Sequence, residues 1–312
     1  MEIHQLSYFV AVAETGGFSR AAQRCNVSQP SLSQQIMKLE QELGQQLFDR
    51  LGRTVTLTEG GQALLPRARA ILAEVEEVKA GLSHQINQGH GHLKVGFIPT
   101  IAPFLLPPVI KELAKRYPQA ELSVYEDLTA VLVHDLVQGK LDVAIMSLPI
   151  NNKLIATEEL FSEPLLVASA NRYELIKRAS LRAKELAQFP FIALNEVHCL
   201  GEQVQSFCYQ QDADLEIVCY ASQLSTLKSC IALGLGISLV PQMLAAGDTS
   251  GQVKYRPISD DPPHRRVVAA TRIGRQPSFL SGQFVQMVQK AYLDLTGSFS
   301  QAEGRRQNDR EN

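Results

Sequence analysis

Apolar positions recur with two different periods along this chain, and the change from one to the other divides it. From Ile3 to Ala13 the spacing is helical, with Ile3, Leu6, Phe9, Val10 and Ala13 on one face, and Gly16-Gly17 ends the run. Phe18 to Arg24 reads as a short second helix through Ala21 and Ala22, closed by Asn26. Ser28 is a natural N-cap for a third helix, and Pro30 sits in its first turn, where a missing N–H costs nothing. That helix turns Leu32, Ile36, Leu39 and Leu43 inward, and Gly44 caps its end. Arg53 to Thr58 alternates polar and apolar side chains as the two-faced strand of a wing does.

Glu59 to Ile86 reads as one long helix. Its Leu64, Ala68, Ile71, Val75, Val78 and Leu82 repeat at spacings of four and three, a heptad seam that calls for a partner helix. Packing of that seam against its own domain is the alternative. Gly89-His90-Gly91-His92 then reads as a flexible joint. Beyond it strands and helices alternate. The strands are expected at Leu93–Ile98, Glu121–Tyr125, Leu141–Met146, Leu165–Ser169, Phe191–Leu194, Glu216–Tyr220, Ile237–Val240 and Val267–Thr271. Helical patterns lie between them, as at Phe104–Arg116, Val131–Gln138 and Leu224–Leu233. Such alternation predicts an α/β receptor of two subdomains with a mostly parallel sheet, binding ligands at the carboxyl ends of its strands. The chain thus divides into a head at 1–58, a linker helix and hinge at 59–92, an α/β domain at 93–296 and a polar tail at 297–312 expected to be disordered.

Composition narrows the function classes. Of 312 residues 45% are hydrophobic and 20% charged, ordinary for a folded protein, and the net charge of −2 carries no basic signature. Residues 1 to 58 are themselves balanced, so a case for nucleic acid rests on motif and geometry. Glu2, His4 and Glu14 interrupt the first apolar run, so no signal peptide is evident there. The uncharged stretch Ile231–Gly247 contains Gly234, Gly236, Pro241 and Gln242, and reads as helix, turn and strand instead of a membrane span. A cytoplasmic protein is expected, whose five cysteines start out reduced. His84, His90 and His92 lack framing ligands and read as a solvated linker, not a metal site. Nothing here calls for a cofactor: neither a phosphate-binding glycine loop nor a working carboxylate pair is present.

The third helix is the candidate DNA reader. Ser28, Gln29, Pro30, Ser31, Ser33 and Gln34 crowd its first turns, where backbone N–H groups suit phosphate and glutamine amides suit adenine edges. Lys38 adds a backbone contact, and Arg50 and Arg53 flank the wing. An ordinary capped helix in a small helical domain is the plainer reading. The stretch Phe18 to Ile36, with Lys38-Leu-Glu-Gln-Glu-Leu-Gly, Leu47-Phe-Asp-Arg and Leu57-Thr-Glu-Gly-Gly, resembles the N-terminal motif of LysR-type transcriptional regulators. Gly234-Leu-Gly-Ile-Ser-Leu-Val-Pro is similar to that family's glycine-rich turn. The resemblance reaches to about Leu295 and implies a winged helix-turn-helix, a linker helix and a periplasmic-binding-protein-like receptor. It also implies assembly as a dimer of dimers on double-stranded operator DNA, with RNA polymerase as a further partner.

The cysteines add chemistry. Cys199 and Cys208 stand nine residues apart on one expected helix, about 13 Å along its axis. A disulfide tolerates a Cα separation of only about 7 Å, so a bond between them requires that segment to unwind. Cys199 begins the helix beside His198, a position that lowers a thiol pKa. Its thiolate would attack peroxide, and Cys208 would condense with the resulting sulfenic acid. The alternative is that these thiols are small hydrophobes, as Cys25, Cys219 and Cys230 read on their apolar faces. The eleven-residue recurrence of Cys208, Cys219 and Cys230 falls on different elements and reads as chance.

His198-Cys-Leu, the later Ser206-Phe-Cys, and Gly96-Phe-Ile-Pro-Thr-Ile-Ala-Pro-Phe-Leu-Leu-Pro are similar to the peroxide-sensing members of the LysR family. That resemblance implies that Thr100 and Thr129 hold hydrogen peroxide by their hydroxyls and that Arg266, with Arg265 adjacent, stabilises the thiolate. One departure stands out. Those members carry a basic residue two positions after the reactive cysteine, and here Gly201 and Glu202 follow. A glycine there would ease unwinding, and Gly201→Arg is expected to speed reaction with peroxide. The rival readings are a regulator answering a small organic effector and, from another class, a thiol peroxidase.

Overall fold

The computed structural model describes residues 1–49, 55–84, 89–173 and 178–311, with the backbone alone at 77–84 and 298–311. Two units emerge, Met1–Gln88 with His134–Leu141, and Gly89–Val133 with Asp142–Asn312.

The first unit opens with three helices, α1 (Ile3–Thr15), α2 (Phe18–Arg24) and α3 (Gln29–Leu43). Leu6, Phe9 and Val12 of α1 meet Leu32, Ile36 and Leu39 of α3 in one core. Ile3 and Leu43, expected inside, are instead exposed at the ends of their helices. Ser28 caps α3 by accepting from the Ser31 amide at 3.3 Å, and Gly44 leaves it at φ 67°, where a side chain would be strained. Two short antiparallel strands, β1 (Phe48–Asp49) and β2 (Thr56–Leu57), form the base of the wing. Phe48 anchors it between Phe9 and Phe18, with ring centroids 5.3 and 5.7 Å away. The long helix α4 (Glu59–His84) follows. Its heptad seam is divided: Ala68 is fully buried in the head's own core with Leu64 packed beside it, whereas Ile71 is exposed. The side chains of Val78 and Leu82 lie outside the described residues.

The chain from Gly91 begins as a regular alternation: β3 (Gly91–Phe97), α5 (Ala102–Arg116), β4 (Ala120–Glu126), α6 (Thr129–Val137, whose last turn from His134 is counted with the first unit) and β5 (Val143–Ser147). The expected joint thus ends early, because Gly91 and His92 already belong to β3. The His92 ring pairs with Glu121 at 3.2 Å and Ser123 at 2.9 Å. β3 lies parallel to both β4 and β5. The 16-residue β6 (Ile155–Ala170) then runs through both subdomains. Its Ile155–Pro164 half pairs antiparallel with β11 (His264–Arg272), which also pairs antiparallel with β5. From Leu165 onward it pairs antiparallel with β9 (Ser238–Pro241) and β10 (Val253–Arg256).

A short 3-10 helix, Ala183–Gln188, leads to the second subdomain's parallel pair β7 (Phe191–Leu194) and β8 (Ile217–Ala221), with α7 (Cys199–Gln210) between them. Next come α8 (Leu224–Ala232) and α9 (Gln242–Ala246). The sheet is therefore mixed, not mostly parallel. Strand-helix alternation implies parallel neighbours only where the chain crosses directly between them. Here β11 arrives from far along the sequence and inserts between β5 and β6. The final helix α10 (Phe279–Glu311) packs Phe284 on Phe97 at 5.9 Å. It continues as helix through the tail expected to be disordered, where Gln, Ala, Glu and Arg favour helix although Gly297 and Gly304 oppose it.

Candidate functional site

Cys199 is the first residue of α7, and the way that helix starts is written locally. The Asn195 side chain accepts from the Val197 amide at 3.2 Å, and its carbonyl accepts from the His198 amide at 3.1 Å, turning the chain off β7. Leu200, Val204 and Cys208 then repeat every four residues and fill the second subdomain's core. Gly201 shares the buried side. A Cβ there would stand 2.6 Å from the carbonyl oxygens of both Leu194 and Asn195, so the first turn of α7 seats on the end of β7 only without a side chain.

The Thr129 hydroxyl, at the start of α6, and the charge of Arg265 both act on the Cys199 thiol. Cys199, Thr129, Thr100 and His198 line one narrow recess with Pro99 and Leu128. Burial pushes the Cys199 thiol above its ordinary value of 9.0, while Arg265, the Thr129 hydroxyl and the amides of Leu200 and Cys199 pull it back. This corrects the expectation of a thiol activated at rest. The helix start and its partners are in place, but desolvation outweighs them. Cys208 is pushed further, to about 12, by burial alone.

Arg265, not Arg266, is the arginine whose charge reaches the Cys199 thiol. Side chains alternate across a strand, so the two neighbours on β11 point to opposite faces. Arg265 is fully enclosed. Its Nε donates to Glu163 at 2.7 Å, its Nη1 to the Thr100 hydroxyl at 2.9 Å and its Nη2 to the Thr100 carbonyl at 3.2 Å. Arg266 is exposed and pairs with Glu159 at 2.9 Å. Arg265 shares the face of Val267 and Ala269, a signal present in the alternation had the strand been begun at His264.

Glu163 was missed for the same reason, since it precedes the expected strand at Leu165. Burial pushes its carboxyl upward, and Arg265 and the Met243 amide, which donates to it at 2.7 Å, pull it down. His198 turns its ring nitrogen away from the recess. Its Nε2 donates to the Ser222 carbonyl at 2.8 Å and ties the start of α7 to the β8–α8 turn. Cys199 and Cys208 end up about 13 Å apart along α7 and about 180° apart around it.

In the first unit, Ser28, Gln29, Pro30, Ser31, Gln34 and Lys38 are exposed on the outer face of α3, and Ser33 is half-buried. Arg50 and Arg53 lie outside the described residues. Among the described residues no helix is long and apolar enough to cross a membrane.

A helix-turn-helix with a wing, carried on the same chain as a two-subdomain α/β receptor holding a recessed thiol, defines a DNA-binding transcription regulator with its own sensor. Residues 3–62 match the family described as "Bacterial regulatory helix-turn-helix protein, lysR family", and residues 87–292 match the LysR substrate binding domain. The chain belongs to the LysR family of bacterial regulators. It is 35% identical over 300 residues to the DNA-binding transcriptional dual regulator OxyR of Escherichia coli K12, covering 96% of this chain and 97% of that one. A full-length OxyR variant of Pseudomonas aeruginosa superposes with a TM-score of 0.73 at 31% identity, covering 93% and 97%. A hydrogen-peroxide-bound cysteine variant of the OxyR of Corynebacterium glutamicum does so with 0.66 at 30% identity, covering 97% of each chain.

Proposed function

We propose that this regulator senses hydrogen peroxide through a reversible Cys199–Cys208 disulfide. The observation that carries the reading is the Cys199 recess, where the Thr129 hydroxyl and the Arg265 guanidinium already face the thiol and Thr100 stands beside it. Relatives bearing the description "Hydrogen peroxide-inducible genes activator" support it. The Cys199 sulfur attacks one peroxide oxygen, the O–O bond breaks, and the departing hydroxide leaves as water with the thiol's proton. Sulfenic Cys199 then takes the Cys208 sulfur, the S–S bond forms, and a second water leaves. Two thiols are oxidised and one peroxide is reduced. Arg265 and Thr129 hold the negative charge that builds on sulfur, which offsets the burial that keeps the thiol protonated at rest.

Forming the bond unwinds α7 and draws Cys208 from the core, which gives two discrete states. We propose that this change re-sets packing among copies assembled as a dimer of dimers and so the spacing of α3 helices on operator DNA, with RNA polymerase as a further partner. On this reading residues 1–58 read DNA through Ser28, Gln29, Pro30, Ser31, Ser33, Gln34, Lys38, Arg50 and Arg53. Residues 59–92 pair the subunits, and 93–296 sense, in the cytoplasm and without cofactor or enzymatic turnover. A second reading is favoured by a cleft of about 520 Å³ lined by Phe104, Leu194, Ser225 and Lys228, large enough for a small organic effector. Peptide mapping after brief, stoichiometric peroxide decides. Rapid loss of two hydrogens mapped to Cys199 joined to Cys208 is expected, whereas two free thiols would move the search to that cleft.

A further inference from the structure

The receptor carries a second pair of thiols, and unlike the first pair these sit on neighbouring elements against one core. β8 places Ile217, Cys219 and Ala221 toward the second subdomain's core and leaves Val218 and Tyr220 exposed. The chain then reverses through Ser222-Gln223 into α8, whose Leu227 and Ile231 are buried in the same core. Cys230 stands beside Ile231 and packs, half-buried, against that core, as does Cys219. Cys230 acts directly on the Cys219 thiol from the facing element, and both are free thiols. Two residues eleven apart in sequence, on a strand and the helix after it, have been brought face to face by folding alone.

A disulfide needs its sulfurs about 2.05 Å apart with a Cβ–S–S–Cβ angle near 90°, and thiols that face each other from a strand and the helix after it approach that without either element unwinding. Cys199 and Cys208 need a helix unwound; Cys219 and Cys230 do not. Both are half-exposed at the surface of the core, so a small oxidant can approach.

We propose that Cys219 and Cys230 form a second reversible disulfide, made within the folded receptor by exchange with a low-molecular-weight disulfide of the glutathione type. One thiol loses its proton and attacks a sulfur of the small disulfide, forming a mixed disulfide and releasing one thiolate, which takes up that proton. The other protein thiol then displaces the second small thiol from the mixed disulfide. The Cys219–Cys230 bond forms, the small disulfide is reduced to two thiols, and atoms and electrons balance. The bridge closes the turn containing Ser222, whose carbonyl holds His198 beside Cys199. It also fixes the strand whose Ala221 carbonyl accepts from the Asn195 amide at 2.9 Å. The second pair therefore braces the platform on which α7 starts, without disturbing α7 itself.

The inference does not depend on the peroxide reading, and one variant separates them. The full-length chain with Cys199→Ser and Cys208→Ser is incubated with oxidised glutathione, alkylated and mapped without reduction. The expected result is a monomer lighter by two hydrogens, with Cys219 joined to Cys230, Cys25 alkylated, and full reversal by dithiothreitol. The same bridge is expected in the unmodified chain under the same conditions, which guards against a folding defect in the variant. Alkylation of both thiols, persistent glutathione adducts at either position, or cross-linking between chains would each overturn the proposal.

Discussion

Arg265 and Arg266 are neighbours on one strand and live in opposite environments, and the difference is testable residue by residue. Arg265 and Glu163 are both fully enclosed, so removing either partner leaves an uncompensated charge in the core. Arg265→Ala is expected to cost about 3–5 kcal/mol in urea melts, the range for breaking a buried pair. Arg266→Ala breaks a pair whose side chains are 59% and 43% exposed, and should change stability by no more than about 0.5 kcal/mol. The conservative Arg265→Lys keeps the charge but loses the fork that reaches Glu163 and Thr100 together, and should slow Cys199 oxidation.

The thiols also set pH dependences. Because Cys199 is held above 9.0, its alkylation rate should climb about tenfold per pH unit between about pH 6 and 8 with no plateau. A plateau near neutrality would show that the thiolate is already formed at rest. Cys208 titrates near 9.0 when unfolded and is pushed to about 12 when folded, so the unfolded chain sheds its proton first. Its contribution is complete below 9.0 and is lost as pH rises from there toward 12. Urea midpoints across that range should fall less steeply in Cys208→Val.

On the scale of elements, α7 is the part built to change. Its first turn depends on Gly201 lying bare against two carbonyl oxygens, so the expected gain from Gly201→Arg is reversed: a side chain there collides with backbone before its charge matters. Gly201→Ala should destabilise the reduced form by about 1–3 kcal/mol, the usual cost of overpacking. That loss falls on the helix that must unwind, and each ~1.4 kcal/mol should lower the reduction potential of the Cys199–Cys208 couple by about 30 mV. Equilibration against glutathione redox buffers would check it, and an unchanged potential would mean the first turn of α7 survives oxidation. In α3 the Ser28 cap is expected to be worth about 0.5–2 kcal/mol, read from thermal melts of Ser28→Ala.

Across the whole molecule, the prediction is a division between reading and holding DNA. Gln34→Ala should relax operator discrimination by about 1–3 kcal/mol at one base pair, while Lys38→Ala should weaken all sequences alike and lower the salt slope by about one. Titrations at several salt concentrations distinguish the two; equal effects on specific and random DNA from Gln34→Ala would remove it from the reading face.

Local pattern was enough for the helices of the head. Capping at Ser28, the glycine stop at Gly44 and the apolar stripe of α3 act within a few residues of one another, and the sequence holds all of that information. The same is true of α7, whose start at Cys199 follows from the preceding turn, and of the opposed placement of Cys199 and Cys208, which is helix geometry. What only the tertiary structure decided are the meetings of distant segments. β11 inserts between β5 and β6 and thereby brings Arg265 to Glu163, 102 residues away, and to Thr100, 165 residues away. The burial that raises the Cys199 thiol, the facing of Cys219 and Cys230 and the bare seat of Gly201 are of the same kind. Propensity and periodicity act over a few residues, while desolvation and close approach depend on what the rest of the chain places alongside.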